Sequence, residues 1–522
     1  MHQCLTIEEV LRIIIEFAAD VDPFGDPNQL AERKLSRGYQ TDLRTLLYIA
    51  LTCKTFHNPA LDRLWRQQWG LENLVALLPK SQTVLILIVD SPETANLILI
   101  QGRFETITGQ DWARFDIYAR RVKALDVSEN CFCPEVSAPK PSRSALETLR
   151  TRAKPILPSL EHFVWSYPPV SSELLSYFDM FLGPTVAEFF LDTRGVLQVS
   201  EAESKVLELP LMSPALKHFR FSALGTQQLK LQLPKIVSSL PMLHLFTCGF
   251  VNISFSVELL SVLSTHPKLE HLELYVVSDP GDHPIVEQES PPAAAVQITF
   301  TRLQHLALGA TMALLCADAL KCMKLPALKD IKLEIASNDG LCDALAWIGT
   351  SCSSTALKVL EVTGGDDDEV PIFTTRNDLA ILQKFKGLTS LAICGPFNLT
   401  DGDLKSVAAW WPHLEMLSLG QDGWRNAPRR VTLAGLLELV KGCPHLSEVA
   451  LAFNPLLPAD FDPQGHCNER VTSLGVADSP VDDDPQVIAD RLKTLFPMLE
   501  SINASEFDTE AQIEWDQVEL SL

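Results

Sequence analysis

The sequence predicts an α/β fold: a small N-terminal helical module, then an irregular solenoid with a parallel sheet on the concave side and helices on the convex side. Three observations carry this expectation. The pattern apolar-x-x-apolar-x-apolar recurs fourteen times, and the thirteen steps from Val122 to Leu499 average about 29 residues, a solenoid period. Pro stands two residues before the first apolar position in nine units, as in Pro267-Lys268-Leu269-Glu270-His271-Leu272-Glu273-Leu274. Helix-like segments also precede the strands: Ser256 to Leu263 before Leu269, Leu315 to Met323 before Leu328, Thr432 to Val440 before Leu446. Helix followed by strand, repeated, implies parallel strands with helices on one side.

Residues 1–80 have a different character. Ile7, Val10, Leu11, Ile14 and Ile15 recur at helical spacing, with Glu8, Glu9, Arg12 and Glu16 between them. The stretch 20–40 carries Pro23, Gly25, Pro27 and Gly38 and reads as an inserted loop. Leu43 to Leu51 forms a second helix, and Asn58-Pro59-Ala60-Leu61 opens a third. Residues 81–121 form a junction, with short strands at Val84–Val89 and Leu97–Ile100. Thr108 starts a helix through Arg121 whose packing candidates are Trp112, Phe115, Ile117 and Tyr118. The solenoid proper spans 122–505, and the acidic tail 506–522 is expected to cap its last repeat. Within the solenoid, Thr400-x-x-Asp403 resembles a capping box. Pro before a strand is intelligible because it ends the preceding helix and biases its own predecessor toward extended geometry.

Two family resemblances follow from these residues. Pro444-His445-Leu446-Ser447-Glu448-Val449-Ala450-Leu451-Ala452-Phe453-Asn454 keeps the terminal Asn of a leucine-rich repeat. Glu9-Val10-Leu11-x-x-Ile14, Leu51-Thr52-Cys53-Lys54-Thr55-Phe56 and Ala60-Leu61-Asp62-Arg63-Leu64-Trp65 together resemble an F-box over roughly residues 1–67. Thr6-Ile7 (or Leu5-Thr6) stands where that family carries Leu-Pro, and the loop between the first two helices is longer than usual. The pairing resembles F-box/leucine-rich-repeat proteins of fungal type. The resemblance implies a substrate-recognition subunit of an SCF-type ubiquitin ligase, which binds a Skp-type adaptor, and through it a cullin scaffold, and holds a target protein on the solenoid. The adaptor patch it implies comprises Ile7, Val10, Leu11, Ile14, Cys53, Phe56, Leu64 and Trp65. Trp65 is the expected hot spot, because aromatic anchors dominate such interfaces. The alternative is a leucine-rich scaffold with no ubiquitin link, in which residues 1–80 serve only as a helical cap.

Strand alternation assigns the exposed face. With Leu269, Leu272 and Leu274 inward, His271, Glu273 and Tyr275 face the concave side, and the same register adds His162, Val164, His218, Arg220, His305, Ala307, Lys332, Glu334 and Glu361. Toward the C-terminus the face becomes small: Ala392, Cys394, Ser418, Gly420, Ala450, Ala452, Gly475 and Ala477. A partner segment is therefore expected on Arg220, His271, Glu273, Tyr275, His305, Lys332, Glu334 and Ser418, seated closely against the late, small-residue strands. Histidine recurs at one repeat position, with Asp330 next in the column after His271 and His305. That spacing suits a metal site or a pH-sensing pair, but ligands in a row along a sheet do not surround an ion, so tolerated polar strand starts are the expected reading.

Other classes are disfavoured. A net charge of −23 argues against nucleic acid or an anionic membrane as partner. The longest apolar runs fall far short of a membrane span, and the N-terminus lacks the basic segment of a signal peptide. Twelve scattered Cys read as reduced thiols, which points to cytoplasm or nucleus. Cys131-Phe132-Cys133-Pro134 has no second Cys pair, and Asp366–Glu369 lacks calcium-loop spacing. With no His-Glu-x-x-His, Gly-x-Ser-x-Gly, P-loop or dinucleotide fingerprint, neither enzymatic chemistry nor a cofactor is expected.

Overall fold

The computed structural model describes residues 8–18, 37–78, 83–88, 97–102, 109–128, 143–166, 177–192, 204–223, 227–251, 256–277, 297–364, 374–420, 430–455, 463, 465–477, 479–481, 483–504 and 509–522. It is a mixed α/β chain with a large parallel sheet and helices in a solenoid-like arrangement, and it divides into two compact units, Met1–Thr247 and Cys248–Leu522. Every one of the fourteen pattern units leads into a strand, the weak copies at Val122, Val186 and Val471 included.

The first unit opens with three helices, α1 (Glu8–Ala18), α2 (Arg37–Thr52) and α3 (Lys54–Trp65). Ile15, Leu46, Ala50 and Ala60 form their buried centre, with Ile49, Phe56, Leu61 and Leu64 packed around it. Cys53 is extended, with φ of −159°, and separates α2 from α3. Strands β1 (Gln67–Trp69), β2 (Ala124–Ser128), β3 (His162–Ser166), β4 (Glu188–Asp192) and β5 (His218–Ala223) pair in parallel, each with the next. β6 (Leu245–Val251) starts at the end of this unit. The parallel sheet thus begins at Gln67 and not at the first pattern unit, which corrects the expected division at residue 80. The reason is that α3 runs directly into β1: Arg66 O accepts from Lys123 N and Ala124 N, and Gly70 N donates to Asp126 O. Leu71, Leu74, Val75 and Leu78 are then buried. The junction strands Thr83–Ile88 and Leu97–Gly102 form a separate antiparallel hairpin. In helix α4 (Gly109–Ala119), Phe115 is buried, whereas Ile117, a packing candidate, is 55% exposed because it lies on the opposite side of the helix.

In the second unit β7 (His271–Val277), β8 (His305–Met312), β9 (Asp330–Ser337), β10 (Val359–Gly364), β11 (Ser390–Ile393), β12 (Met416–Leu419), β13 (Glu448–Leu451), β14 (Ser473–Ala477) and β15 (Ser501–Ala504) pair in parallel and in chain order. Helices α5 (Val257–Ser264), α6 (Ala313–Lys321), α7 (Leu341–Ser351), α8 (Asp401–Trp410), α9 (Leu433–Gly442), α10 (Pro485–Leu495) and α11 (Thr509–Leu520) alternate with them. At the start of α8, Asp403 Oδ2 accepts from the Thr400 N–H at 2.9 Å and its hydroxyl at 2.7 Å, the backbone half of a capping box. Asp401, one residue on, accepts from the N–H and hydroxyl of Thr432, so one helix start holds the next. At the end of the sheet α11 packs on β15: Trp515 Nε1 donates to Ser479 O at 2.8 Å, and Glu519 accepts from Ile502 N at 2.6 Å.

The x-x pair in the pattern has a backbone role. In nearly every unit its two N–H groups donate to a single carbonyl one unit earlier: Glu161 and His162 to Lys123 O, Gln304 and His305 to Glu270 O, Lys329 and Asp330 to Gln304 O, Glu415 and Met416 to Thr389 O. The prolines also prove more specific than helix terminators. Leu160 N bonds Leu157 O, Leu414 N bonds Trp411 O and Leu499 N bonds Phe496 O, so Pro158, Pro412 and Pro497 occupy the second position of a β-turn, where fixed φ suits the geometry. Behind the strands the second apolar position forms a buried column. In the first unit it starts at Leu125 and is aromatic from there on, with Phe163, Phe189 and Phe219 in register and ring centroids 5.3 and 6.2 Å apart. In the second unit it is aliphatic: Leu272, Leu306, Ile331, Leu360, Leu391, Leu417, Val449 and Leu474. Leu333→Ala, at a fully buried site, is expected to cost about 3 kcal/mol, and Leu314→Ala, on the exposed side of α6, under about 0.5 kcal/mol; urea midpoints of the two variants check the contrast.

Candidate functional site

The half-exposed side of the sheet carries the chemistry of the second unit, and the register orders it into rows. The first row runs His271, His305, Asp330, Val359, Ser390, Met416. The second runs Glu273, Ala307, Lys332, Glu361, Ala392, Ser418, and the third Tyr275, Gly309, Glu334, Thr363. His271 and His305 stack with ring centroids 4.1 Å apart and an interplanar angle of 6°. On the other side of that pair, His305 Nδ1 lies 2.5 Å from Asp330 Oδ2. Lys332 Nζ lies 3.0 Å from Glu334 and 3.8 Å from Glu361. Burial opposes charge on Lys332, yet Glu334, Glu361 and Glu273 outweigh it and raise its pKa, so it stays an ammonium. His271, Glu273, Tyr275, His305, Lys332, Glu334 and Ser418 are therefore brought onto one face, all partly exposed.

The expected small-residue seat is different. Ala392, Ser418 and Ala452 are partly exposed, but Cys394, Gly420, Ala450, Gly475 and Ala477 are buried. The reason is local crowding. A Cβ on Gly420 would stand 2.7 Å from Gly395 O, and one on Gly475 2.5 Å from the Ala450 methyl. Within this unit the accessible part of the predicted face thus lies mainly on β7 through β12, with Ala452 beyond β13, and its charged side chains lie on β7 to β9 and at Glu361 of β10.

In the first unit the matching row is His162, Glu188, His218. Glu188 sits between the two imidazoles, 2.8 Å from Nδ1 of each. Burial would raise its carboxyl, but hydrogen bonds from His162 and His218 prevail and hold it well below the usual carboxylate range. Arg220 is exposed in the next row, beside Phe190 and Val164, both half-exposed. Glu188 and Phe190 were missed in the sequence, although each falls at an outward position of its unit. Among the described residues no group of three or more His, Cys, Asp or Glu is arranged to hold a metal ion. Cys131–Pro134 and Asp366–Glu369 lie outside the described residues.

The residues expected to meet an adaptor do not form one surface. Leu11 is buried, and Phe56 and Leu64 pack against the core of the three helices, so these three serve the module's interior. Trp65 lies on Tyr118, with ring centroids 4.5 Å apart, and is only partly exposed. Val10 and Cys53 are half-exposed, Ile14 is exposed, and Ile7 lies outside the described residues. The Cys53 thiol is pulled down by the Phe56 backbone N–H at the start of α3. The exposed apolar residues are others: Ile13 at 53%, Leu47 at 44%, Tyr48 at 67% and Leu51 at 71%. The helical period contains the signal that would have found them. With Leu46 and Ala50 inward, Leu47, Tyr48 and Leu51 must lie on other sides of α2.

No family model and no curated protein matches the chain. Among solved structures it is similar to a structural-genomics protein from Bacteroides fragilis, with 15% sequence identity, 59% of this chain and 72% of that chain covered, and a TM-score of 0.30. Among the described residues no helix is long and apolar enough to cross a membrane.

Because the folded Glu188 carboxyl titrates below its unfolded value of about 4.3, its contribution is fully present above that pH and is lost as pH falls through the folded value. Glu188→Gln is expected to cost about 1 kcal/mol at pH 7, a figure discounted for solvent screening because the side chain is 40% exposed. Thermal melts of variant and parent should differ fully above about pH 5 and draw together progressively as pH falls below about 4, toward the folded value.

Proposed function

We propose that this chain is a substrate-recognition subunit of an SCF-type ubiquitin ligase, an F-box module followed by a leucine-rich-repeat solenoid. Helices α1 to α3 dock a Skp-type adaptor, which bridges to a cullin, and the sheet face holds the target protein. The chain supplies proximity and does no chemistry. The observation that carries the reading is the apolar surface of the helical module: Ile13, Ile14, Leu47, Tyr48 and Leu51 are exposed on two helices whose inward residues already fill a core. Exposed large apolar side chains concentrated on so small a module mark an interaction site. The repeating strand pattern and the order Cys53, Leu64-Trp65 add support. The contact set accordingly becomes Ile13, Ile14, Leu47, Tyr48 and Leu51, with Val10 and Cys53 at its margin. A cytoplasmic or nuclear location follows from this role.

A second reading, a scaffold whose helices only cap the sheet, is favoured by one observation. The module is tied to the first strands through β1, through Trp65 on Tyr118, and through Arg121, which bonds Asp62 and Asn58. For the same reason a truncation at Leu71 would remove β1 and unmask β2, so point substitutions are the cleaner test. Leu51→Asp with Tyr48→Ala is expected to weaken binding of a purified Skp-type adaptor at least about tenfold in a calorimetric titration. Trp65→Ala should instead lower the melting temperature and leave adaptor affinity within about twofold. Adaptor binding that survives the double substitution would remove this contact set, and a parent chain that never binds the adaptor would favour the capping scaffold.

A further inference from the structure

We infer that the open sheet face of β3, β4 and β5 seats an extended segment of the target carrying a bulky apolar residue and, two positions on, a single carboxylate. The apolar side chain lies on Val164 and Phe190, and the carboxylate meets the Arg220 guanidinium. The inference rests on the reading of the sheet as the part that holds a target, and it supplies the target's chemistry.

Arg220 is set apart by its lack of a partner. Among the described residues, Lys332 and Arg220 are the Lys and Arg side chains at outward strand positions of the large sheet. Lys332 is held by Glu334 and Glu361. Arg220 is exposed, and among the described residues no carboxylate, carbonyl or aromatic ring pairs with its guanidinium. The acids beside it in the register are already used. Glu188 lies 2.8 Å from Nδ1 of both His162 and His218, one carboxylate oxygen to each. Asp192, in the row on the other side, is buried and engaged elsewhere. Acidic side chains outnumber Lys and Arg by 66 to 43, so the chain has acids to spare and still leaves this cation open.

The apolar half of the seat is the same row. Phe190 pairs in register with Arg220 on one side and Val164 on the other. Both are half-exposed, and the Phe190 ring meets no other ring among the described residues. Phe189, one residue earlier, is by contrast buried and stacked between Phe163 and Phe219. An open ring beside an unpaired guanidinium takes an apolar side chain out of water and forks onto a carboxylate. The spacing follows from sheet geometry. With strands ~4.8 Å apart, Arg220 lies ~7.2 Å from the midpoint between Val164 and Phe190, close to the ~6.7 Å between alternate residues of an extended segment laid across the strands. Charge limits the occupant to one acid. A phosphate dianion or a run of acids would face Glu188, which its two histidines keep ionised, and the chain's net charge of −23. One guanidinium balances one carboxylate, so the fit is a lone Glu or Asp in an otherwise neutral segment.

The test is a titration of blocked Gly-Phe-Gly-Glu-Gly with the full chain, followed by NMR of the peptide, and of the same peptide with glutamine, or with phosphoserine, in place of glutamate. The glutamate peptide should bind at millimolar concentration, and the glutamine peptide at least about fivefold more weakly. Arg220→Gln, at an exposed side chain, should abolish the difference between the two, and Arg220→Lys should keep part of it. Phe190→Ala should weaken both peptides by about fivefold and leave their ratio unchanged. If Phe190→Ala fails to fold, Arg220→Gln carries the test. Equal binding of glutamate and glutamine peptides, discrimination that persists in Arg220→Gln, tighter binding of the phosphoserine peptide, or no binding at millimolar peptide would each overturn the proposal. Adaptor binding by the same protein, measured in parallel, reads the ligase assignment independently, because it depends on α1 and α2.

Discussion

At the start of nearly every sheet strand one carbonyl oxygen accepts two successive N–H groups from the following turn of the chain. This three-centre contact fixes where each strand begins relative to its neighbour, and much else follows from it. A slip of one residue would turn every inward side chain outward. The paired donors are the two variable residues of apolar-x-x-apolar, so the pattern requires their backbones while leaving their side chains free to vary. That is why His271, Gln304, His305 and Asp330 can occupy these positions without cost to the core.

Once register is fixed, the two sides of the sheet become separate problems. The buried side is filled by volume: stacked phenylalanines in the first unit, leucines and other aliphatics in the second. The open side is set by charge and by gaps. A glycine at 309 contributes no side chain, yet it decides where the Tyr275 ring can lie. Strand-to-strand neighbours thus form combinations that sequence neighbours do not, such as Glu188 between His162 and His218, residues separated by twenty-six and thirty positions.

The strands were legible because burial imposes a strict alternation: Leu269, Leu272 and Leu274 identify the inward side, and His271, Glu273 and Tyr275 the outward one. The Thr400-x-x-Asp403 helix start was legible for a different reason, being set by local hydrogen bonding. β1 was not, since Gln67-Gln68-Trp69 carries no repeat pattern and enters the sheet through backbone pairing to β2. The small late positions misled because size does not report exposure; close neighbours already cover Ala450 and Gly475. In the helical module the apolar residues were recognisable, but the inward and outward ones were not separated. Short helices that bury one side and leave the other apolar give a blurred period, and only their mutual packing assigned Leu11 to the interior and Leu51 to the surface.

The final strand of a parallel sheet has an unmatched edge, a ready template for another chain. Here α11 turns back so that the Glu519 carboxylate takes the Ile502 amide and Trp515 closes on Ser479. A carboxylate caps a donor but offers no donor in return, so the edge ends in a group that cannot continue a ladder. The repeating architecture therefore has a chemical stop, and end-to-end polymerisation through β15 is blocked by the chain's own last helix.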